Sequence, residues 1–368
     1  MKWLGEKLKE IVCSSKFTQS QISEQLEVSR QTYVDWTKGQ VPKGNHLLKL
    51  CRLLKLDPTE LFVEEQANIA IPLHMTRGTA KLTEERQERS LKLSKEYERI
   101  INSSKAPVLQ FSVKSIVYED AVKLAQRLRE LAGLDNENTK PLDYNHVFKL
   151  IYELGICLVF RCFPEDIKSY GFYTVIKKQK TIFINTSTNV IDLIFPILHE
   201  LVHAIIDRNV IKDNGSVEEE NFCHKVASLA QFPEEYVSFI YENIKGLPIS
   251  HKVNTLKTYS ITNHHAMFGI MKCIEEKYGK LNIKIGGADT NLKKELPVIK
   301  DILSNNKEPE EFLNVYKTLS PIFYMLLLEN YDNLTNRKLA EILDLDNSLD
   351  AVEIRKVLDK QKRLITKC

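Results

Sequence analysis

The chain has 368 residues, 43% of them hydrophobic, and 52 basic against 49 acidic side chains leave a formal charge of only +3. That is core enough for two or three domains and too little charge for a general nucleic-acid coat, so any DNA contact has to be local. Seven cysteines, at 13, 51, 157, 162, 223, 273 and 368, form no CxxC pair, which argues against a disulfide framework or a structural zinc ribbon and for a reducing cytoplasm. Lys2, Glu6, Lys7, Lys9 and Glu10 are unlike a secretory signal, and the longest apolar region, 190–206, is broken by Asp192, Pro196 and further polar residues, unlike a membrane span.

In chain order, the first pattern is a pair of short helices. Thr18-Gln19-Ser20-Gln21 fits a capping box, Glu27-Val28 makes a turn, and Ser29 caps a second helix that runs to about Lys38 before Gly39. Ile22, Leu26, Val28, Tyr33 and Trp36 are spaced to bury against one another and against Trp3, Leu4, Leu8, Ile11, Leu47, Leu50, Leu54 and Phe62. Arg30, Gln31 and Thr32 are left at the start of the second helix, where such side chains reach base edges in a major groove. Gln19, Ser29 and Lys38 complete the expected DNA-facing set, with Lys43 a weaker phosphate contact.

Residues 1–63 resemble the Xre/Cro-type DNA-binding domain, through Thr18-Gln19 and Val28-Ser29-Arg30-Gln31-Thr32 to Trp36-Thr37-Lys38-Gly39 and Pro42. Glu27 departs from the usual turn glycine and Thr37 from a common Glu, which predicts a looser turn. Ten basic and seven acidic residues give this segment +3, an excess that permits DNA binding without requiring it. A five-helix module kept for protein association is the plainer alternative.

Residues 64–110 form a charged, helix-favouring linker. Leu91, Ile100 and Ile101 are among its few apolar anchors, and Ser103-Ser104-Lys105-Ala106-Pro107 closes it. The expectation is a solvated spacer helix; a homodimer contact or a substrate-blocking element is the alternative.

Residues 111–250 hold the most specific signal. Ile156-Cys157-Leu158-Val159-Phe160 reads as a strand, and Gly171-Phe172-Tyr173-Thr174-Val175-Ile176 joins Thr181-Ile182-Phe183-Ile184-Asn185 through Lys177-Lys178-Gln179-Lys180 as a hairpin. The hairpin is the expected open edge for an extended peptide. His199-Glu200-Leu201-Val202-His203 then places two imidazoles one helical turn apart, with Glu200 set to address a metal-bound water. Ile194, Ile197, Leu198, Leu201, Val202 and Ile205 form an apolar stripe toward a core, leaving His199 and His203 toward a cleft.

A catalytic zinc needs a third protein ligand. Asn209 stands where metzincins carry a His, which excludes that pattern. After a loop with Asn214-Gly215, Glu218-Glu219-Glu220 opens a second helix. Geometry favours Glu220, because Cys223, Ala227 and Ala230 share or border its face and let this helix come close. Glu218 and Glu219 suit a helix-dipole role, and His224 reads as exposed, with second-shell and ligand roles left open.

The same stretch resembles the ImmA/IrrE zinc endopeptidases, whose HExxH is followed by E-x-x-[AC]-N-x-[FV]-A and a Pro. Here the second part is Glu220-Asn221-Phe222-Cys223-His224-Lys225-Val226-Ala227, with Pro233 beyond it and His224 in place of the usual Asn. The resemblance runs upstream through 119–131, 146–155 and the hairpin, covering about 115–250. It implies zinc held by His199, His203 and Glu220, with Glu200 as general base. It also implies few targets, typically DNA-bound transcriptional repressors.

Residues 251–368 read as helical. Residues 335–343 and 349–358 form a plain helical pair, and Tyr259, His264 and His265 are candidate oxyanion donors. The whole is then an α+β, mostly helical chain: an all-α helix-turn-helix domain, a zincin-like lobe with a small sheet, and a helical C-terminal region. Two functions fit: a DNA-associated zinc endopeptidase acting on a regulatory protein, and a non-proteolytic regulator of antitoxin or phage type whose zinc domain senses a ligand or partner.

Overall fold

The computed structural model describes residues 2–15, 17–56, 61–63, 84–102, 111, 116–135, 137–165, 167, 169–206, 217–304 and 308–366. Asn209, the Asn214-Gly215 loop and the 103–107 closure lie outside them. The chain divides into two compact units, Met1–Asn68 and Ile69–Cys368. No helix among the described residues is long and apolar enough to cross a membrane.

The first unit holds helices α1 (Gly5–Ser14), α2 (Gln19–Gln25), α3 (Arg30–Thr37) and α4 (Gly44–Leu54) and an antiparallel ribbon of β1 (Lys2–Trp3) with β2 (Phe62–Val63). The ribbon is not expected from the sequence, since strands of two residues leave no periodicity to read. Trp3, Leu8, Ile22, Leu26, Tyr33, Trp36 and Leu50 are buried together, each such side chain contributing about 1.5–3 kcal/mol. The Trp3 indole N–H donates to the Trp36 carbonyl at 2.7 Å. Gly5 is needed beside it, because a Cβ there would lie 2.5 Å from that same oxygen.

The second unit contains α5 (Glu84–Lys95), α6 (Tyr118–Ala132), α7 (Tyr144–Glu153), β3 (Cys157–Arg161), β4 (Gly171–Ile176), β5 (Gln179–Asn185), α8 (Ile194–Ile205), α9 (Val217–Gln231), α10 (Glu234–Ile244), α11 (Ile249–Asn263), α12 (Met267–Tyr278), α13 (Gly286–Glu295), α14 (Ile299–Ser304), α15 (Pro309–Leu319), α16 (Pro321–Asn330), α17 (Asn336–Ile342) and α18 (Ser348–Thr366). With eighteen helices and one three-stranded sheet among the described residues, the fold is α+β and mostly helical.

The sheet runs β3-β5-β4, with β5 central, parallel to β3 and antiparallel to β4. The β4–β5 connection is tighter than expected: Gln179 and Lys180 belong to the strand, and Lys177 and Lys178, at φ 45° and 73°, make a two-residue turn of the hairpin-favoured hand. Among the described residues β4 has one strand neighbour, so it is one of the two sheet edges, and it packs beside α8.

Two expectations change here. The 84–102 segment is no solvated spacer, because Leu93, Tyr97, Ile100 and Ile101 are buried in the main core and the Tyr97 ring meets Phe183 edge-on at 5.1 Å. Residue 250 also marks no break in that core. Phe323 and Leu327 of α16 and Leu339, Ile354 and Leu358 of the α17–α18 pair belong to the same cluster as the sheet and α8. The helices from α10 to α13 build a separate, smaller cluster around Ile240, Leu256, Ile270 and Ile274.

Candidate metal centre and nucleic-acid interface

α8 is buried on every side. Pro196 sits in its first turn, where no intrahelical bond is lost, and the Lys180 ammonium donates to the Ala204 carbonyl near its C-terminus. His199 and His203 therefore do not open onto a cleft, as the apolar stripe implied. They lie under α9, each 1% exposed. Cys223, Ala227 and Ala230, all fully buried, allow the close approach of α9.

This approach brings Glu220 to the two imidazoles. Its carboxylate lies 3.1 Å from His199 Nε2 and 3.2 Å from His203 Nε2, and the two Nε2 atoms are 3.3 Å apart. Ligands at about 2.0–2.1 Å around a tetrahedral zinc stand about 3.3 Å from one another, so these separations suit such an ion. Glu219, expected to serve the helix dipole, is 1% exposed and lies 3.1 Å from His203 Nδ1, with the Cys223 sulfur 3.5 Å from the same nitrogen. A carboxylate on Nδ1–H leaves the Nε2 lone pair for a metal. Glu218 is exposed.

Glu200 occupies the β4 side of α8. It is fully buried, and among the described residues no side chain hydrogen-bonds its carboxylate, which faces the Tyr173 backbone. Its Cγ would lie 3.7 Å from a Cβ placed on Gly171 of β4. Burial raises its carboxyl well above the usual range; the Glu220 charge adds to that, while His203 and the nearby Tyr173 backbone act against it. Glu220 behaves oppositely: burial pushes it up, but hydrogen bonds from His199 and His203 prevail and hold it well below the usual range. For His203, burial disfavours the cation, yet Cys223, Glu219 and Glu220 together keep its pKa well above the ordinary value. Two imidazoles and the Glu220 carboxylate converge in a buried site, and this donor set fits a divalent cation.

The other candidates stand elsewhere. His224 is half-buried, with its ring 6.2 Å from that of His199, and its Nε2 meets the Lys272 ammonium at 2.9 Å. Tyr259 packs edge-on against Phe239, His264 stacks on Tyr144 at 5.0 Å, and His265 Nε2 lies 2.7 Å from the Tyr236 hydroxyl. Burial lowers the His265 pKa to about 4, leaving it neutral in a structural contact. Among the described residues, these contacts of Tyr259, His264 and His265 involve none of His199, His203 and Glu220.

In the first unit, the capping box forms as read: Thr18 Oγ1 accepts from the Gln21 N–H at 3.3 Å, and Gln21 Oε1 accepts from the Thr18 N–H at 2.9 Å. Ser29 Oγ accepts from the Thr32 N–H at 3.0 Å and also meets Thr32 Oγ1 at 2.8 Å, which occupies both hydroxyls in capping α3. Arg30 and Gln31 are exposed, Gln31 donating to Asp35 at 2.8 Å; Lys38 and Lys43 are exposed and Gln19 is half-exposed. The turn is not loosened by Glu27. It takes the left-handed conformation at φ 57°, and the Val28 N–H closes onto the Ser23 carbonyl at 3.0 Å.

Residues 8–61 match a family described as Helix-turn-helix. No curated protein and no solved structure matches the chain. The N-terminal unit is a DNA-binding helix-turn-helix domain, and the reading of the second unit rests on its own geometry.

Proposed function

We propose that the chain is a DNA-associated regulatory zinc endopeptidase that cleaves a transcriptional repressor or a similar regulatory protein. The observation that carries this is the convergence of His199, His203 and Glu220 at 3.1–3.3 Å, with the buried carboxylate of Glu200 on the adjacent position of the same helix. When bound, zinc supplies Lewis acidity, bringing the pKa of a water to about 7 and polarising a peptide carbonyl. Glu200 takes the proton of the attacking water and hands it to the leaving amine; its desolvated carboxyl suits a group that must hold a proton between these two transfers. Glu219 fixes the His203 ring by accepting from Nδ1–H. The β4 edge offers backbone groups to an extended substrate. The fused helix-turn-helix raises the local concentration of a DNA-bound target.

A second reading is a non-proteolytic regulator whose metal domain senses a ligand or partner. The depth of the metal group beneath α9 favours it. The position of Glu200 favours the enzyme, since a sensing site has no use for a general base.

Metal analysis and proteolysis test the proposal together. Glu220→Ala is expected to lose most bound zinc and Glu218→Ala to keep it. Only the second variant should release a chelator-sensitive fragment from regulators encoded beside this chain. Equal zinc in both variants, or no fragment from any regulator with the zinc-loaded protein, would overturn it.

A further inference from the structure

Beside the metal group lies a cleft of about 550 Å³, more than one side chain needs. Phe195 and His224 line it, each with its ring 6.2 Å from that of His199, and Phe232 and Phe268 extend the aromatic wall. Among the buried polar atoms of its lining, Asp289 Oδ1 and Gln231 Oε1 have no hydrogen-bond partner among the described residues. Asp289 is 4% exposed and Gln231 1%. Both atoms are acceptors, so what they lack is a donor.

The charge balance points the same way. Lys293 bridges Asp192 at 2.8 Å and Asp289 at 2.9 Å, so these two carboxylates share one ammonium. The other cation on the lining, Lys272, is mostly exposed and is engaged by His224 at 2.9 Å and Glu276 at 3.9 Å. A buried carboxylate with one oxygen left without a donor favours a charged donor, and aromatic faces favour a planar cation over a compact one.

We propose that this cleft takes a basic side chain, arginine before lysine, of the protein substrate, and so sets which peptide bonds are cut. The assignment rests on the peptidase reading above, but ligand binding in the cleft can be measured without any cleavage.

The test is ligand-observed NMR titration of the full chain with the N-acetyl, N-methylamide derivatives of arginine, lysine, norleucine and phenylalanine. Arginine is expected to bind best, and the two uncharged compounds about tenfold or more weaker, as loss of a charge-assisted contact implies. Asp289→Asn and Asp289→Leu should remove the preference, while Asp350→Asn, on the exposed face of α18, should leave it intact. Thermal melting of each variant separates lost binding from lost folding, and Asp289→Asn keeps the side-chain shape. Phenylalanine binding as well as arginine, or an arginine preference that survives in both Asp289 variants, would overturn the proposal. Arginine selectivity without proteolysis of any protein would sink the peptidase reading and leave the cleft assignment standing. Proteolysis indifferent to basic residues would do the reverse.

Discussion

Glu219 shows how one side chain changes meaning between sequence and structure. Beside Glu218 in the first turn of α9 it satisfies the helix dipole, and nothing in its spacing sets it apart. Its contact with His203 crosses from one helix to another, so only the packing of α9 on α8 reveals it. Glu219→Gln keeps the size but weakens the hold on Nδ1–H, and zinc affinity should fall about 10–100-fold, read by competition with a chromogenic chelator. Unchanged affinity would reduce Glu219 to a space-filling role. Glu27 carries a different kind of residue-scale cost. A non-glycine residue at φ 57° costs about 1–2 kcal/mol, against about 0.4–1 kcal/mol of chain freedom that a glycine restores to the unfolded state. Its ion pair with Lys49 at 3.1 Å is exposed and contributes little. Glu27→Gly should therefore stabilise the helix-turn-helix unit by up to about 1 kcal/mol in denaturant unfolding, and a loss of stability would show that the pair outweighs the strain.

Among the elements, those with a strong local signature were readable and those defined by their neighbours were not. Thr18 and Ser29 announce α2 and α3 because caps act within three residues. The five-residue HExxH span places His199 and His203 one turn apart whatever surrounds them. By contrast, the burial of α8 on all sides depends on α9, and the ribbon of β1 with β2 depends on residues 60 apart in the chain. In α5 and the residues after it, charge density concealed two anchors, Leu93 and Tyr97, that join the segment to the core. α3 is the element that reads DNA in this account. Ser29 and Thr32 are engaged with each other in capping the helix, whereas Arg30 and Gln31 are exposed, Gln31 turning from its exposed Asp35 contact to meet a base. Replacing both with Ala should weaken binding to the chain's own promoter region by about 1–3 kcal/mol per lost base contact, measured by titration at fixed salt, with helicity retained. Equal affinity before and after would move recognition away from this helix.

At the scale of the whole molecule, the chain order of a DNA-binding unit followed by an α+β unit with a buried metal-ligand group was legible from composition and motif. The extent of the second unit was not. Residues 309–366 carry helical periodicity with no feature to separate them from an independent helical domain, yet Phe323, Leu327 and Leu358 complete the core that holds α8 and the sheet. The candidate metal-ligand group thus sits in one large core, the kind of support that the proposed ligands and base require to hold fixed positions. The central claim is that Glu200 makes this body a peptidase rather than a sensor. It is tested most directly by introducing Glu200→Gln into cells and blotting candidate repressors for a fragment while zinc content and DNA binding of the purified variant are checked. The account predicts that zinc and DNA binding persist while the fragment, present in wild type, disappears. A fragment that persists in the variant, or one absent from wild type while the neighbouring genes are still induced normally, would contradict it.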